Sequence, residues 1–112
     1  VIKGSILICS RFQDVDMGLL RQLSDLIKSR VSSYALCLGS SQAQKAWLTV
    51  SLSADLADKG LDASKIIKEA ALLIEGSGGG RANMAQAGGD NPAGLDKALE
   101  KFKEIIRAGL NH

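Results

Sequence analysis

The sequence predicts a small single α/β domain, a mixed sheet of about four strands with three helices packed on it, in the order β-α-β-β-α-loop-β-α. Three observations carry that prediction. Apolar runs too short for helices stand at Ser5–Phe12, Tyr34–Gly39 and Trp47–Ser53. Between and after them, apolar residues recur at steps of three and four, the spacing of one helical face. Finally, 112 residues with 46% hydrophobic content are enough for one packed core and too few for two.

The first run, SILICSRF, is bounded by Gly4 and by Gln13-Asp14, and reads as a buried strand. Asp16 stands at an N-cap position, where its carboxylate can accept the free amides of the next turn. Leu19, Leu20, Leu23, Leu26, Ile27 and Val31 then form one helical stripe, with Arg21, Lys28 and Arg30 off it. YALCLG and WLTVSLS are the next two strands, joined by a short polar link that predicts an antiparallel hairpin. In the second of these, Trp47, Thr49, Ser51 and Ser53 alternate with Leu48, Val50 and Leu52, the pattern of a strand with one covered face. Ser53–Gly60 is ambiguous, at most a helical turn. Asp62 caps a helix whose buried stripe is Ile66, Ile67, Ala70, Leu73 and Ile74, with Gly76 in the left-handed position that stops it. Asn83–Ala87 reads as a short strand of small residues. Asn91-Pro92 reads as a cap and first turn for a last helix striped by Leu95, Leu99, Phe102, Ile106 and Leu110.

The chain is organised around residues 76–89, GSGGGRANMAQAGG, which hold six of its twelve glycines. Glycine loses more conformational freedom on folding than any other residue, so such density points to positive φ or to a close approach. Arg81 ends the run with a planar, permanently charged donor suited to phosphate. The stretch is no Walker loop, because no Gly-Lys-Ser/Thr closes it, and its glycine spacing fails the dinucleotide fingerprint. It also follows a helix instead of preceding one, so the helix dipole opposes an anion. The expectation is an anion-facing loop in which the amides of Gly78, Gly79 and Gly80 form a nest beside Arg81. The alternative is a plain flexible connection. Gln86, between Ala85 and Ala87, is a candidate for a base edge or ribose. Lys65 and Lys68, with Lys59 before them, would extend the basic patch, or else form a solvated face.

A net charge of +2 excludes a purely electrostatic, histone-like binder. Catalysis finds no support, since the sole histidine is His112 and no His/Cys/Asp cluster has metal spacing. Cys9 and Cys37 read as reduced, buried thiols, which implies a cytoplasmic setting. The N-terminus lacks a signal-peptide pattern, the apolar runs are far shorter than a membrane span, and the missing initiator Met reads as a piece cut from a longer chain.

GGGR-x-x-MAQAGG followed by a Pro-containing helix start resembles the C-terminal, DHHA1-type domain of alanyl-tRNA synthetases. Val15-Asp16-Met17 opening a Leu-rich helix, and Lys59-Gly60-Leu61 leading into Ala63–Ala70, extend the resemblance from end to end, over residues 1–112. This chain has Ala82-Asn83 where the family commonly has Pro-Asp, and Asp62-Ala63-Ser64 where a Gly-rich or His-Ala-Gly stretch is frequent. The resemblance implies a non-catalytic domain without a cofactor of its own, in a parent ligase that uses ATP, magnesium and zinc. It implies tRNA(Ala), gripped near its elbow, and the parent's other domains as partners, with self-association open and no membrane contact. Two alternatives remain at this stage: a substrate-gripping DHHA1 domain of a nucleotide or single-strand phosphoesterase, and an oligomerisation module.

Overall fold

The computed structural model describes residues 5–110; Gly4 and His112 lie outside them, as does the side chain of Leu110. Strand β1 (Ile6–Gln13) leads through helix α1 (Met17–Lys28) to β2 (Tyr34–Gln42) and β3 (Lys45–Leu52). Two helices follow, α2 (Ala54–Asp58) and α3 (Ala63–Leu73), then β4 (Gly76–Gly80), β5 (Met84–Gly89), a 3₁₀ turn (Pro92–Gly94) and α4 (Leu95–Leu110). The sheet order is β1-β2-β3-β5-β4. Only the β1–β2 pair is parallel, as its helical crossover requires; the other pairs are antiparallel. The mixed sheet packed with helices is that expected, with one strand more, because the glycine run is itself strand β4, and one short helix more, because the ambiguous Ser53–Gly60 stretch contains α2.

The two sheet faces are covered unequally. On one face α2, α3 and α4 bury Cys37, Leu48, Val50, Leu52, Ala85 and Ala87 against Leu56, Ile67, Ile74, Leu95, Phe102 and Ile106. On the other, α1 alone packs Leu20 and Ile27 over Leu36, Leu38 and Trp47. Because α1 reaches β3, both faces of that strand are covered, contrary to the one-faced reading. Thr49 and Ser51 are buried, and Ser51 Oγ lies 3.1 Å from Ser24 Oγ of the helix. Leu19 and Leu26, at the outer edge of the predicted stripe, stay exposed.

Local chemistry sets the boundaries. Asp16 Oδ1 accepts from the Leu19 amide at 2.8 Å, and Asp62 Oδ1 from the Ser64 amide at 2.9 Å, so both predicted caps form. The Asn91 side chain makes no capping bond, and Pro92 starts a 3₁₀ turn before α4 begins. The β2–β3 hairpin closes on Ala43 and Gln44 with φ of 49° and 66°, the paired positive values of a tight two-residue turn. Positive φ after α3 falls on Glu75 (52°), not on Gly76, which is already in the strand. Cys9 and Cys37 face each other in register across β1 and β2, both free. The neighbouring Cys9 thiol and complete burial push the Cys37 thiol well up, so it stays protonated. Cys9 is only half-buried, and its thiol approaches the Leu99 carbonyl of α4 at 3.7 Å.

Candidate nucleic-acid interface

Strand β5 shows how the site arises. Ala85, Ala87 and Gly89 are buried against α3, while Met84, Gln86 and Gly88 alternate with them on the opposite, half-exposed face. The pairing continues that face onto β4, where Ser77 stands opposite Gly88 and Gly79 opposite Gln86. Helix α1 packs on β2 and β3 and not over these two strands, so two of the five strands have no helix on this face.

The glycines divide between the two faces. A Cβ on Gly76, Gly78 or Gly80 would come within 2.0, 2.3 and 2.4 Å of a β5 carbonyl oxygen, so these three positions admit no side chain. A Cβ on Gly79 would meet nothing within 4 Å. Three of the four β4 glycines are therefore required by close packing of an edge strand. The expected nest is corrected: such a nest needs alternating right- and left-handed backbone, and in the described residues Gly60 is the only glycine at positive φ. Amides in an extended strand diverge to its two sides and cannot converge on one anion.

Arg81 is held where β4 turns into β5. Its own amide donates to the Met84 carbonyl at 2.7 Å, the Ala82 carbonyl accepts from Ala63 at the start of α3 (2.8 Å), and the Asn83 carbonyl accepts from Leu52 (2.9 Å). Three backbone bonds to three elements fix the turn, so the exposed guanidinium projects from a rigid base. Gly79, Gly80, Arg81, Asn83, Met84, Ala85 and Gln86 line a concavity of about 440 Å³ whose far wall is Arg21 and Lys28 of α1. Its lining contains three cations, two amides and no carboxylate. Among the described residues, neither Arg21 nor Arg81 has an ion-pair partner, and Lys28 has only Asp25 at 3.5 Å.

The sequence-predicted residues thus separate into two groups. Gly79, Gly80, Arg81 and Gln86 come together in the concavity, while Gly78 turns towards Ala87 on the other face. Lys65 and Lys68 are exposed on α3, and Lys65 lines a different hollow with Asp62 and Glu69. Arg21 and Lys28 lie off the hydrophobic stripe, which in the sequence alone leaves them in solvent or towards a partner, outside the predicted site. Their seven-residue spacing, two helical turns on one face, was the available signal.

The DHHA1 domain family matches residues 4–108. The chain belongs to that family. This DHHA1 domain is 41% identical over 105 residues to alanine–tRNA ligase 1 of Lachnoclostridium phytofermentans, and 45% identical over 107 residues to the alanine–tRNA ligase of Exiguobacterium sibiricum. Those alignments take in 94% and 96% of the chain but 12% of each relative, so the chain spans about an eighth of their length. Among solved structures, the C-Ala domain from Aquifex aeolicus alanyl-tRNA synthetase superposes with a TM-score of 0.79 at 29% identity, covering 91% of this chain and 89% of that one. Among the described residues of the DHHA1 domain, no helix is long and apolar enough to cross a membrane.

Proposed function

We propose that this DHHA1 domain is the tRNA-binding C-terminal domain of an alanyl-tRNA synthetase, working in a cytoplasmic parent chain that joins alanine to tRNA. It holds tRNA(Ala) near the elbow and links the parts of the parent that carry aminoacylation and editing. The residues assigned to the contact are Gly79, Gly80, Arg81 and Gln86, with Lys65 and Lys68 of α3 as a second basic strip; Gly78, on the other face, is left out. The domain itself performs no chemistry; ATP, magnesium and zinc belong to other parts of the parent. The observation that carries the reading is the rigidly mounted Arg81 beside Gln86 in a concavity without acids. A guanidinium supplies bidentate hydrogen bonds to phosphate, and a neutral amide can read a base edge or a ribose hydroxyl. The similarity to alanine–tRNA ligases over 94% of the chain favours this reading over a phosphoesterase domain.

Affinity of the isolated domain is modest, because in the parent chain tethering to other tRNA-binding parts raises the effective concentration. The test is a titration of labelled tRNA(Ala) at low and moderate salt, with the unmodified chain beside Arg81→Ala. Salt-sensitive binding that weakens in the variant is expected. Binding indifferent to Arg81 would shift the contact to Lys65 and Lys68. No binding at low salt, with a dimer in sedimentation, would leave an assembly module.

A further inference from the structure

We propose that helix α1 is the second wall of the RNA site, and that a phosphodiester backbone lies in the trough between Arg21 and Lys28 on one side and Arg81 on the other. This rests on the tRNA-binding reading and adds to it the path of the strand and two contact residues on a separate element.

Relief comes first. An α-helix with its side chains is about 10 Å across, so where α1 ends its cover of the sheet the surface drops by roughly that height to the bare strands. The floor is low at Gly79, which carries no side chain and has open space above it. Met84 is the one large apolar residue in the lining, which suits a hydrated polyanion better than an apolar ligand.

Charge is the second argument. Arg21 and Lys28 are seven residues apart, hence roughly 10 Å along the helix, on one face and pointing to the same trough. At about 3.4 Å of axis per nucleotide, that distance takes in roughly three phosphates of a stacked strand. Arg81 faces them from the β4–β5 turn, so a strand in the trough meets cations on both flanks and amides (Gln86, Asn83) on its floor. With a net charge of only +2, three cations on one concavity whose lining has no carboxylate concentrate positive charge there; Arg21 and Arg81 have no ion-pair partner among the described residues, and Lys28 pairs only with Asp25 at 3.5 Å. Contacts of this kind position a backbone and carry no sequence information; any base readout falls to Gln86 on the floor.

The decisive experiment compares four forms of the chain in titrations of tRNA(Ala) over a series of salt concentrations: unmodified, Arg81→Ala, Arg21→Glu/Lys28→Glu, and Lys97→Glu/Lys101→Glu on α4. Both double variants change net charge equally. The α1 pair is expected to weaken binding about tenfold or more and to flatten the slope of log affinity against log salt by roughly 1–2, while the α4 pair changes neither appreciably. Matching circular dichroism and melting temperatures across the forms check that substitution at Arg21 and Lys97, which are exposed, and at Lys28 and Lys101, which are half-buried, leaves the fold intact. Equal losses in both variants would reduce the effect to overall charge and overturn the trough. Loss with Arg81→Ala but not with the α1 pair would overturn the second wall while leaving the tRNA-binding function standing. No binding by the unmodified chain would overturn that function as well. Displacement of tRNA by poly-glutamate as readily as by a second RNA would overturn the phosphodiester assignment in favour of acidic polymers in general.

Discussion

The two halves of the sheet differ in what covers them. Strands β1, β2 and β3 lie between helices on both faces, and β3 is buried along almost its whole length. Strands β5 and β4 are helix-backed on one face and open on the other, and they are built from Gly, Ala and Ser apart from Met84 and Gln86, with Arg81 in the turn between them. In the covered half, side-chain volume fills space between layers and sets stability. In the bare half, stability comes from one face and from backbone pairing, which leaves the other face free to carry Gln86 and Arg81 without destabilising the core. The division of labour follows from the placement of α1 over β2 and β3: one further helix over β5 and β4 would close the surface that holds the candidate site.

Substitutions can break or sharpen this contrast. Leu20 is fully buried under α1, and Leu20→Ala is expected to cost about 2–5 kcal/mol, read as a lower urea midpoint, with α1 and its two cations loosened together. In the bare half, Gly78→Ala places a methyl 2.3 Å from the Gln86 carbonyl oxygen, and should cost about 1–3 kcal/mol as β4 is pushed from β5. The adjacent Gly79→Ala, with open space around it, should stay within about 0.5 kcal/mol of the unmodified chain. Equal costs at 78 and 79 would mean that β4 does not pack against β5 as described. Asp62 gives a pH test at the edge between the halves. Its hydrogen bonds from Ser64 hold its pKa below the ordinary value, so the carboxylate's contribution is complete above about pH 3.9 and is lost as pH falls through the native value. The melting-temperature gap between the unmodified chain and Asp62→Asn should therefore shrink on acidification; a gap independent of pH would remove the charge from the explanation. The smallest stability change is expected for Arg81→Ala, within about 0.5 kcal/mol in thermal melts, because its turn is held by backbone bonds.

Much of this architecture is legible in the residues, and the failures have particular causes. The stripe of α4 and the caps at Asp16 and Asp62 are local patterns, which sequence carries directly. The hairpin at Ala43-Gln44 is harder to place to the residue, because neither is the Asn-Gly pair that normally marks such a turn. Strand β4 is invisible to propensity: GSGGG is among the poorest strand sequences, and only its pairing with β5 makes it one. Thr49 and Ser51 mimic a solvent face because hydroxyls under α1 take the place of hydrophobic residues. At the site, Arg81 and Gln86 stand out within one short motif. Arg21 and Lys28 do not, because their meeting with Arg81 depends on where α1 ends over the sheet, and that is a property of the assembled layers.

The joining of β1 to α4 has a consequence for how the chain acquires its shape. Arg11 reaches Asp96 at 2.9 Å across 85 positions of sequence, and Cys9 meets the Leu99 carbonyl across 90. Contacts of such separation cannot assist an early nucleus, because the loop they close must first be brought together. During synthesis, β1 and β2 emerge long before the helix that covers their apolar underside. A nascent chain halted before residue 95 would present Leu7, Cys37 and Leu48 uncovered, a hold-point at which a chaperone, or another unfinished copy, could bind where Phe102 will later sit.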